Sequence, residues 1–497
     1  MTDKLNQFAT DVLARAEEET QNWSLTIGGK FVKPLKGGTY TTDNPSTGET
    51  IATVAFADAD DVAAAVAAGK QAFPAWRALH VDERARLLRQ FSAAVRARAD
   101  EFAILDAIDC GNPYAAMLDD VAKGAGSVEY FAGLGMEIKG ETIPTAGGGL
   151  NFTRREPFGV TARILPFNHP IMFAVGKIAS ALITGNTVVM KLADQTPLSG
   201  LLLGKLVQDV FPAGVVNILS GDGRTTGASL VQHPDIYRIA FTGSVETGRL
   251  ISQQAGIASL SLELGGKNPL VIFPDVDVEA AAEAAVAGMN YTRSQGQSCG
   301  SNSRVFVHES MKEDFIALVK ARVERIKVGA ATDTGTEMGP VISRDHYKKV
   351  MGFIEGGKQQ GARLVTGGNH VPGKAYEKGY FIEPTVFADV TNDMDIAQQE
   401  IFGPVMSILT WSDEEKMLHH VNDSRYGLCA NIWTNDISRA LRIADAVEVG
   451  YVWVNGFGGK RFKGAPFGGV KNSGLGREHC TEEMLSFTQQ KNINVRY

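Results

Sequence analysis

A thiol, a carboxylate and an amide stand out among the 497 residues as groups placed to do chemistry. Cys299 lies in the small-residue turn Gly296-Gln297-Ser298-Cys299-Gly300. Backbone N–H groups in such a turn can lower a thiol pKa or hold an oxyanion. An isolated cysteine also serves as inert packing. Glu263 ends the apolar run 260–262 and is followed by Leu264, Gly265, Gly266 and Lys267, which sets a carboxylate beside two glycines. Asn168 stands between two prolines in Pro166-Phe167-Asn168-His169-Pro170. The prolines hold a loop there, and an amide N–H can donate to a developing oxyanion; an Asx turn is the plainer alternative.

Other residue types suit a phosphate or a ribose. The stretch from Thr242 through Gly243, Ser244 and Gly248 follows an apolar run and opens a predicted helix. A helix N-terminus offers unpaired N–H groups to an anion, and glycine allows close backbone approach. A Ser-capped helix start accounts for the same residues. Gly221, Asp222, Gly223 and Gly227 resemble a dinucleotide fingerprint with the wrong spacing. Lys191, with Asp194 three residues on, suits ribose hydroxyls, or forms a solvated charge pair.

These groups need elements to position them. Val62, Val66, Gly69 and Phe73 fall on one helical face, with caps among residues 58–61; Leu88, Phe91, Val95 and Phe102 line another. Short apolar runs at 160–165, 187–191, 215–219 and 238–242 then alternate with helical stretches. This pattern predicts an α/β fold built on βαβ units, with a parallel sheet buried on both faces. Runs at 270–273 and 303–307 begin a second set of strands. Ligands in such sheets bind beyond the carboxyl ends of the strands, so the segments after the strands are where a site is expected. Residues 136–152, rich in Gly and Thr, read as an extended hairpin that can pair with the β-prone tail at 492–495, within a subunit or between subunits.

Bulk properties narrow the class. The chain is long enough for two or three domains. The net charge of −7 gives no basic excess to mark a nucleic-acid or polybasic membrane surface. The polar, acidic start lacks the pattern of a signal peptide, and no apolar run is long enough to span a bilayer. Four scattered cysteines, without zinc spacing or a disulfide framework, fit a reducing cytoplasm.

Taken in order, PFNHP, KLADQTP, FTGSVETG, LELGGKNP, GQSCGSNSR, EIFGPV and PFGGVKNSGLGRE resemble the aldehyde dehydrogenase superfamily from about Ile27 onward. The resemblance implies a Rossmann-like cofactor domain (1–134 and 155–265), an α/β catalytic domain (266–480) and oligomerisation strands (135–154 and 481–497). It implies NAD⁺ as cofactor, with NADP⁺ left open, a small-molecule aldehyde as substrate, and a homodimer or homotetramer. Cys299 matches the nucleophile, Glu263 the base that activates water, and Asn168 with the Cys299 N–H the oxyanion donors. Lys177 and Glu478 match groups behind that region, Glu478 in a proton relay. Along the cofactor the resemblance places Ile164, Leu165, Phe167, Lys191, Asp194, Gly223, Gly243, Ser244, Gly248, Leu264, Glu400 and Phe402. Glu400 holds the nicotinamide ribose, and Phe402 packs near the ring. Asp194 is shorter than the usual Glu, but a carboxylate there still favours NAD⁺ by repelling a 2′-phosphate.

For the substrate, Phe167 replaces a frequent Trp, and Gly176 sits where some relatives carry a bulky aromatic, so a wide tunnel is expected. Phe167, Phe173, Tyr291, Phe457 and Phe467 are its candidate aromatic lining, or else ordinary core. A bulky or aromatic aldehyde is the first expectation. The basic loop Lys460, Arg461, Lys463 raises the alternative of an anionic aldehyde such as a semialdehyde. A CoA-acylating enzyme is disfavoured by Glu263, since only water needs that base. An inactive structural or binding protein is disfavoured by the intact Cys299, Glu263, Asn168, Lys191 and Glu400.

Overall fold

Five β-rich runs form parallel strands whose carboxyl ends lie level. In the computed structural model, which describes residues 2–146, 148–457 and 462–496, they are Val160–Ile164, Thr187–Lys191, Val216–Leu219, Arg238–Thr242 and Ser259–Glu263. The first three are buried along their whole length, because helices cover both faces. The register sets Ile164 beside Lys191 and Phe241, Lys191 beside Leu219, and Thr242 beside Glu263. From Val160–Ile164 the chain builds strands first on one side and then, from Arg238–Thr242, on the other. A crevice opens beyond the carboxyl ends where the order reverses. Antiparallel strands close both edges: Leu25–Ile27 and Lys30–Val32 on one, Gly474–Leu475 on the other.

A seven-stranded sheet runs in the order Arg363–Thr366, Thr385–Ala388, Val405–Trp411, Arg304–His308, Pro269–Ile272, Cys429–Trp433, Tyr451–Val454. All its pairings are parallel except that of the first strand. The chain passes from Glu263 in the first sheet to Pro269 in the second through one short turn. The carboxyl end of one strand therefore faces the amino end of the other. Arg304 pairs with Pro269, so Cys299 lies just before the amino end of a strand. The rule that sites follow strands holds for Glu263 but not for the thiol.

The tail strand Thr488–Val495 pairs antiparallel with Leu150–Pro157, within one chain, and Thr142–Ile143 completes this third sheet. The segment 136–152 is not extended throughout, because it opens with the 3₁₀ turn Gly135–Glu137. Asp58 caps the helix Ala59–Ala78 in a reciprocal capping box with Asp61. The second helical face divides: Val81–Ala97 carries Leu88, Phe91 and Val95, while Phe102 belongs to Ala99–Cys110. Arg98, at φ −114°, separates the two helices. Among the described residues no helix is long and apolar enough to cross a membrane.

Candidate active site

Asn168 sits on the loop that leaves the central strand Val160–Ile164. Three buried polar side chains from the preceding helical layer grip this loop. Asn112 Nδ2 donates to the Asn168 carbonyl at 2.9 Å, Asp120 Oδ2 meets His169 Nδ1 at 2.6 Å, and Asp106 Oδ2 accepts from the Ile171 N–H at 2.9 Å. The Asn168 side chain reaches the Cys299 turn, where its Nδ2 donates to the Gln297 carbonyl at 2.8 Å. An amide nitrogen carries two hydrogens, so this bond fixes the group and leaves one donor for an oxyanion.

The turn at Cys299 is clamped from the other sheet. Asn268 Nδ2 donates to the carbonyls of Cys299 at 2.7 Å and Ser301 at 2.9 Å, while its Oδ1 accepts from the Cys429 N–H at 3.2 Å. Asn268 follows directly on the LELGGK stretch, so one side chain ties the Cys299 turn to the Glu263 turn. A Cβ on Gly266 would lie 2.6 Å from the Cys299 carbonyl oxygen, which is why glycine stands there. Cys299 is half-buried and packs against the apolar cluster of Leu428, Cys429, Trp453 and Phe467. None of the four cysteines forms a disulfide.

Glu263 is 4 % exposed, with Oε1 against the backbone of Gly468. Glu400 is partly buried and accepts from the Gly266 N–H at 2.9 Å. Burial pushes its carboxyl up to about 7, against the pull of that N–H. Phe402 has φ 57°, a left-handed conformation that is strained for a bulky residue. His346 stabilises it: Nε2 lies 2.6 Å from the Phe402 carbonyl, and the two rings and that of Phe167 meet edge to face. Burial pushes His346 down to about 4, so a neutral imidazole donates this bond.

Lys177 Nζ contacts both oxygens of Glu478, at 2.5 and 2.6 Å, and Thr242 Oγ1 at 2.9 Å. Burial alone would raise the Glu478 carboxyl, but Lys177, His479 and Arg163 together hold it well below the usual range. Backbone bonds between Phe467 and Glu478 in both directions fix this carboxylate.

Asn168, Cys299, Lys177 and Glu478 line one pocket of about 190 Å³ together with Phe131, Met172, Phe173 and Phe462, whereas Glu263 and Glu400 are not among its lining residues. Of the six expected pocket residues, Phe173 and Gly176 line it. Tyr291 does not: it is fully buried in the core, its hydroxyl donating to the Thr385 carbonyl at 2.8 Å. Phe467 packs beside Cys299 and is strapped to Glu478, and Phe457 lies 41 % exposed outside the lining. Phe167 stacks with Phe402 rather than lining a tunnel. Gly176 serves helix contact as well as space, because a Cβ there would come within 3.3 Å of Ser127 Cβ. Lys460 and Arg461 fall outside the described residues. Lys123, Arg293 and His169, which the sequence did not single out, also line the pocket.

The crevice beyond the first sheet carries a second constellation. Lys191 is 4 % exposed at its strand's carboxyl end, and its ammonium has no hydrogen-bond partner among the described residues. Burial lowers its pKa, opposed by Asp194 and Asp222. Ile164 and Leu165 form the adjacent strand end and Gly223 opens the Gly223–Gly227 turn. Ser244 caps the helix Val245–Gln254 by accepting from the Thr247 N–H at 3.2 Å. Gly243 and Gly248 pack on Phe241 and Leu264, where a Cβ would clash. A buried cation, a capped helix N-terminus and the partly buried Glu400 carboxylate together fit an extended ligand with phosphate and ribose groups.

The model of the Aldehyde dehydrogenase family matches residues 31–493. The chain is 44% identical over 480 residues to the aldehyde dehydrogenase tropH of Talaromyces stipitatus, covering 95% of this chain and 93% of that one. Its fold is similar to an NAD⁺ complex of aldehyde dehydrogenase from Bacillus cereus, with 39% identity, TM-score 0.93, and 97% and 98% of the two chains covered. It is also similar to betaine aldehyde dehydrogenase from Staphylococcus aureus in complex with NAD⁺, with 33% identity, TM-score 0.93 and 96% of each chain covered.

Proposed function

The chain belongs to the aldehyde dehydrogenase family, and from that premise we propose that it oxidises an aldehyde to a carboxylic acid through a thioester on Cys299. The observation that carries the reading is the convergence of Asn168, Cys299 and the Lys177–Glu478 pair on one pocket, with the Glu263 turn packed against the nucleophile turn. The Cys299 thiolate attacks the carbonyl carbon, and the charge that develops on oxygen is held by the remaining Asn168 N–H and the Cys299 backbone N–H. NAD(P)⁺, when bound, accepts the hydride lost from that carbon. Lys191 and Asp194 would hold its adenosine ribose, Ser244 its pyrophosphate, and Glu400, braced by Gly266, its nicotinamide ribose. Glu263 takes a proton from water, the water oxygen attacks the thioester carbonyl, and the acid leaves as the thiolate is restored. The Lys177–Glu478 pair provides the proton path from the pocket. Residues 1–134 with 155–265 form the cofactor domain, 266–480 the catalytic one, and 135–154 with 481–497 the strands that join subunits into a homodimer or homotetramer. Gly474–Leu475, although within the catalytic span, pairs on the cofactor-domain sheet. The undisulfided cysteines suit a cytoplasmic setting.

The test is NADH release across an aldehyde panel, with and without CoA, and identification of the product. Free acid equal to NADH without CoA is expected; a strict need for CoA would overturn hydrolysis. Bulky or aromatic aldehydes should exceed acetaldehyde in kcat/KM, since each buried methylene adds roughly 0.8 kcal/mol. Best activity on acetaldehyde would refute that order.

NAD⁺ should be preferred over NADP⁺. The Asp194 carboxylate would repel a 2′-phosphate, and Asp194→Ser should narrow the kcat/KM ratio on the order of tenfold. A wild-type preference for NADP⁺ would show that the shorter side chain leaves room for the phosphate.

A further inference from the structure

We infer that the aldehyde taken by this site carries a carboxylate remote from its carbonyl, and that Arg293 binds it with Lys123 and Lys463 alongside. The inference rests on the oxidation reading above and adds the substrate class.

The charged groups lining the pocket sort into two sets. Lys177 and Glu478 neutralise each other, and Glu483 is paired with Arg163 at 2.9 Å. The remaining charged lining groups are Lys123, Arg293 and Lys463, all cations. Their counter-charges do not line the pocket. Arg293 Nη1 bonds Asp119 at 2.5 Å, its Nη2 bonds Asp120, and Lys123 shares Asp119 at 2.7 Å. Lys463 has no carboxylate within ion-pair distance among the described residues; Glu129 attracts it and Arg96 repels it.

The acids hold Arg293 in place without using it up. Each of its two arms takes a different carboxylate, so neither acid receives the two-pronged grip, and other N–H groups of the five on a guanidinium remain for a ligand. Asp120 is fully buried and also holds His169, next to the oxyanion amide. The arginine is therefore fixed relative to Asn168. Its side chain is a quarter exposed, enough to meet a substrate and little enough to limit screening by water. The apolar side chains Phe131, Met172 and Phe173 line the same pocket as the thiol and these cations. A thiol, apolar walls and cations in one pocket together describe an aldehyde with an apolar body and an anionic group. This joins two expectations that the sequence offered as alternatives.

The test compares 4-formylbenzoate with methyl 4-formylbenzoate, alike in shape but not in charge, at low and high salt. The wild-type kcat/KM ratio of acid to ester should be roughly tenfold to a hundredfold, as for hydrogen bonds to charged groups, and should fall with salt. Arg293→Met should bring the ratio close to one. Because that change leaves the buried Asp120 without its arginine, Lys463→Met, at an exposed position, provides a second reading and should lower the ratio in part. A wild-type ratio at or below one, or a ratio unmoved in both variants, would overturn the inference. If no aldehyde were oxidised, the oxidation reading would fall, and calorimetry would decide the inference separately. Tighter binding of 4-methylbenzoate than of its neutral methyl ester supports it, and equal binding overturns it.

Discussion

Cys299→Ala should abolish aldehyde oxidation and leave cofactor binding intact. The substitution removes one sulfur atom and with it the only bond-forming group in the proposed mechanism. Loss of a nucleophile from a cooperating set costs on the order of 10⁴ to 10⁶ in turnover. The surrounding turn does not depend on the side chain. Asn268 holds the Cys299 backbone carbonyl, and Asn168 is held by Gln297, so the oxyanion donors keep their places in the variant. The Lys191 and Ser244 constellation lies beyond the first sheet and is untouched. Steady-state NADH release, calorimetric titration with NAD⁺, and mass spectrometry for an acyl adduct check the three parts. Turnover above a few per cent, once wild-type contamination is excluded, would refute the thioester route.

Glu263→Gln should separate the two halves of the reaction. An amide of nearly the same volume cannot take a proton from water, so hydrolysis slows by roughly 10² to 10⁴. Acylation needs the thiol, its oxyanion donors and NAD⁺ as hydride acceptor, but no base for water. Rapid mixing should therefore give a burst of NADH close to the enzyme concentration, then a slow steady state. The side chain is 4 % exposed and closely backed by Gly468, so the isosteric change is the one the site tolerates. Loss of the burst along with the steady state would instead place Glu263 before hydride transfer.

Much of this architecture was legible in the sequence, and the exceptions have physical causes. The apolar runs between helical stretches became parallel strands within a residue or two of the expected bounds, because strands buried on both faces leave little choice of register. The pocket walls were less legible. Lys123, Ser127 and Phe131 lie four apart on the helix Tyr114–Gly133 and form one stripe into the pocket. Periodicity reveals such a stripe but does not tell whether a core or a cavity lies beneath it. Tyr291 and Arg293 show the same difficulty at close range. Two residues apart on a single helical turn, they point to opposite sides, so the aromatic enters the core and the arginine meets the pocket. The turn is bounded by Asn290 and Gln295 at φ 60° and 54°, whose left-handed backbones no spacing rule anticipates. The clamp at Asn268 was hidden because its partners are backbone carbonyls and a backbone N–H, which carry no sequence signature.

The pairing of Thr488–Val495 with Leu150–Pro157 has a consequence for the order in which the molecule can assemble. The Arg155–Thr488 bond spans 333 residues, and the Asn186 bond to the Phe487 carbonyl spans 301. Contacts so far apart in the chain are entropically expensive until other structure shortens the loop between them, so they form late. The same late segment carries Glu478, partner of Lys177 301 residues earlier, and Glu483, partner of Arg163 320 residues earlier. The parallel core can therefore consolidate before the Lys177–Glu478 and Arg163–Glu483 pairs form.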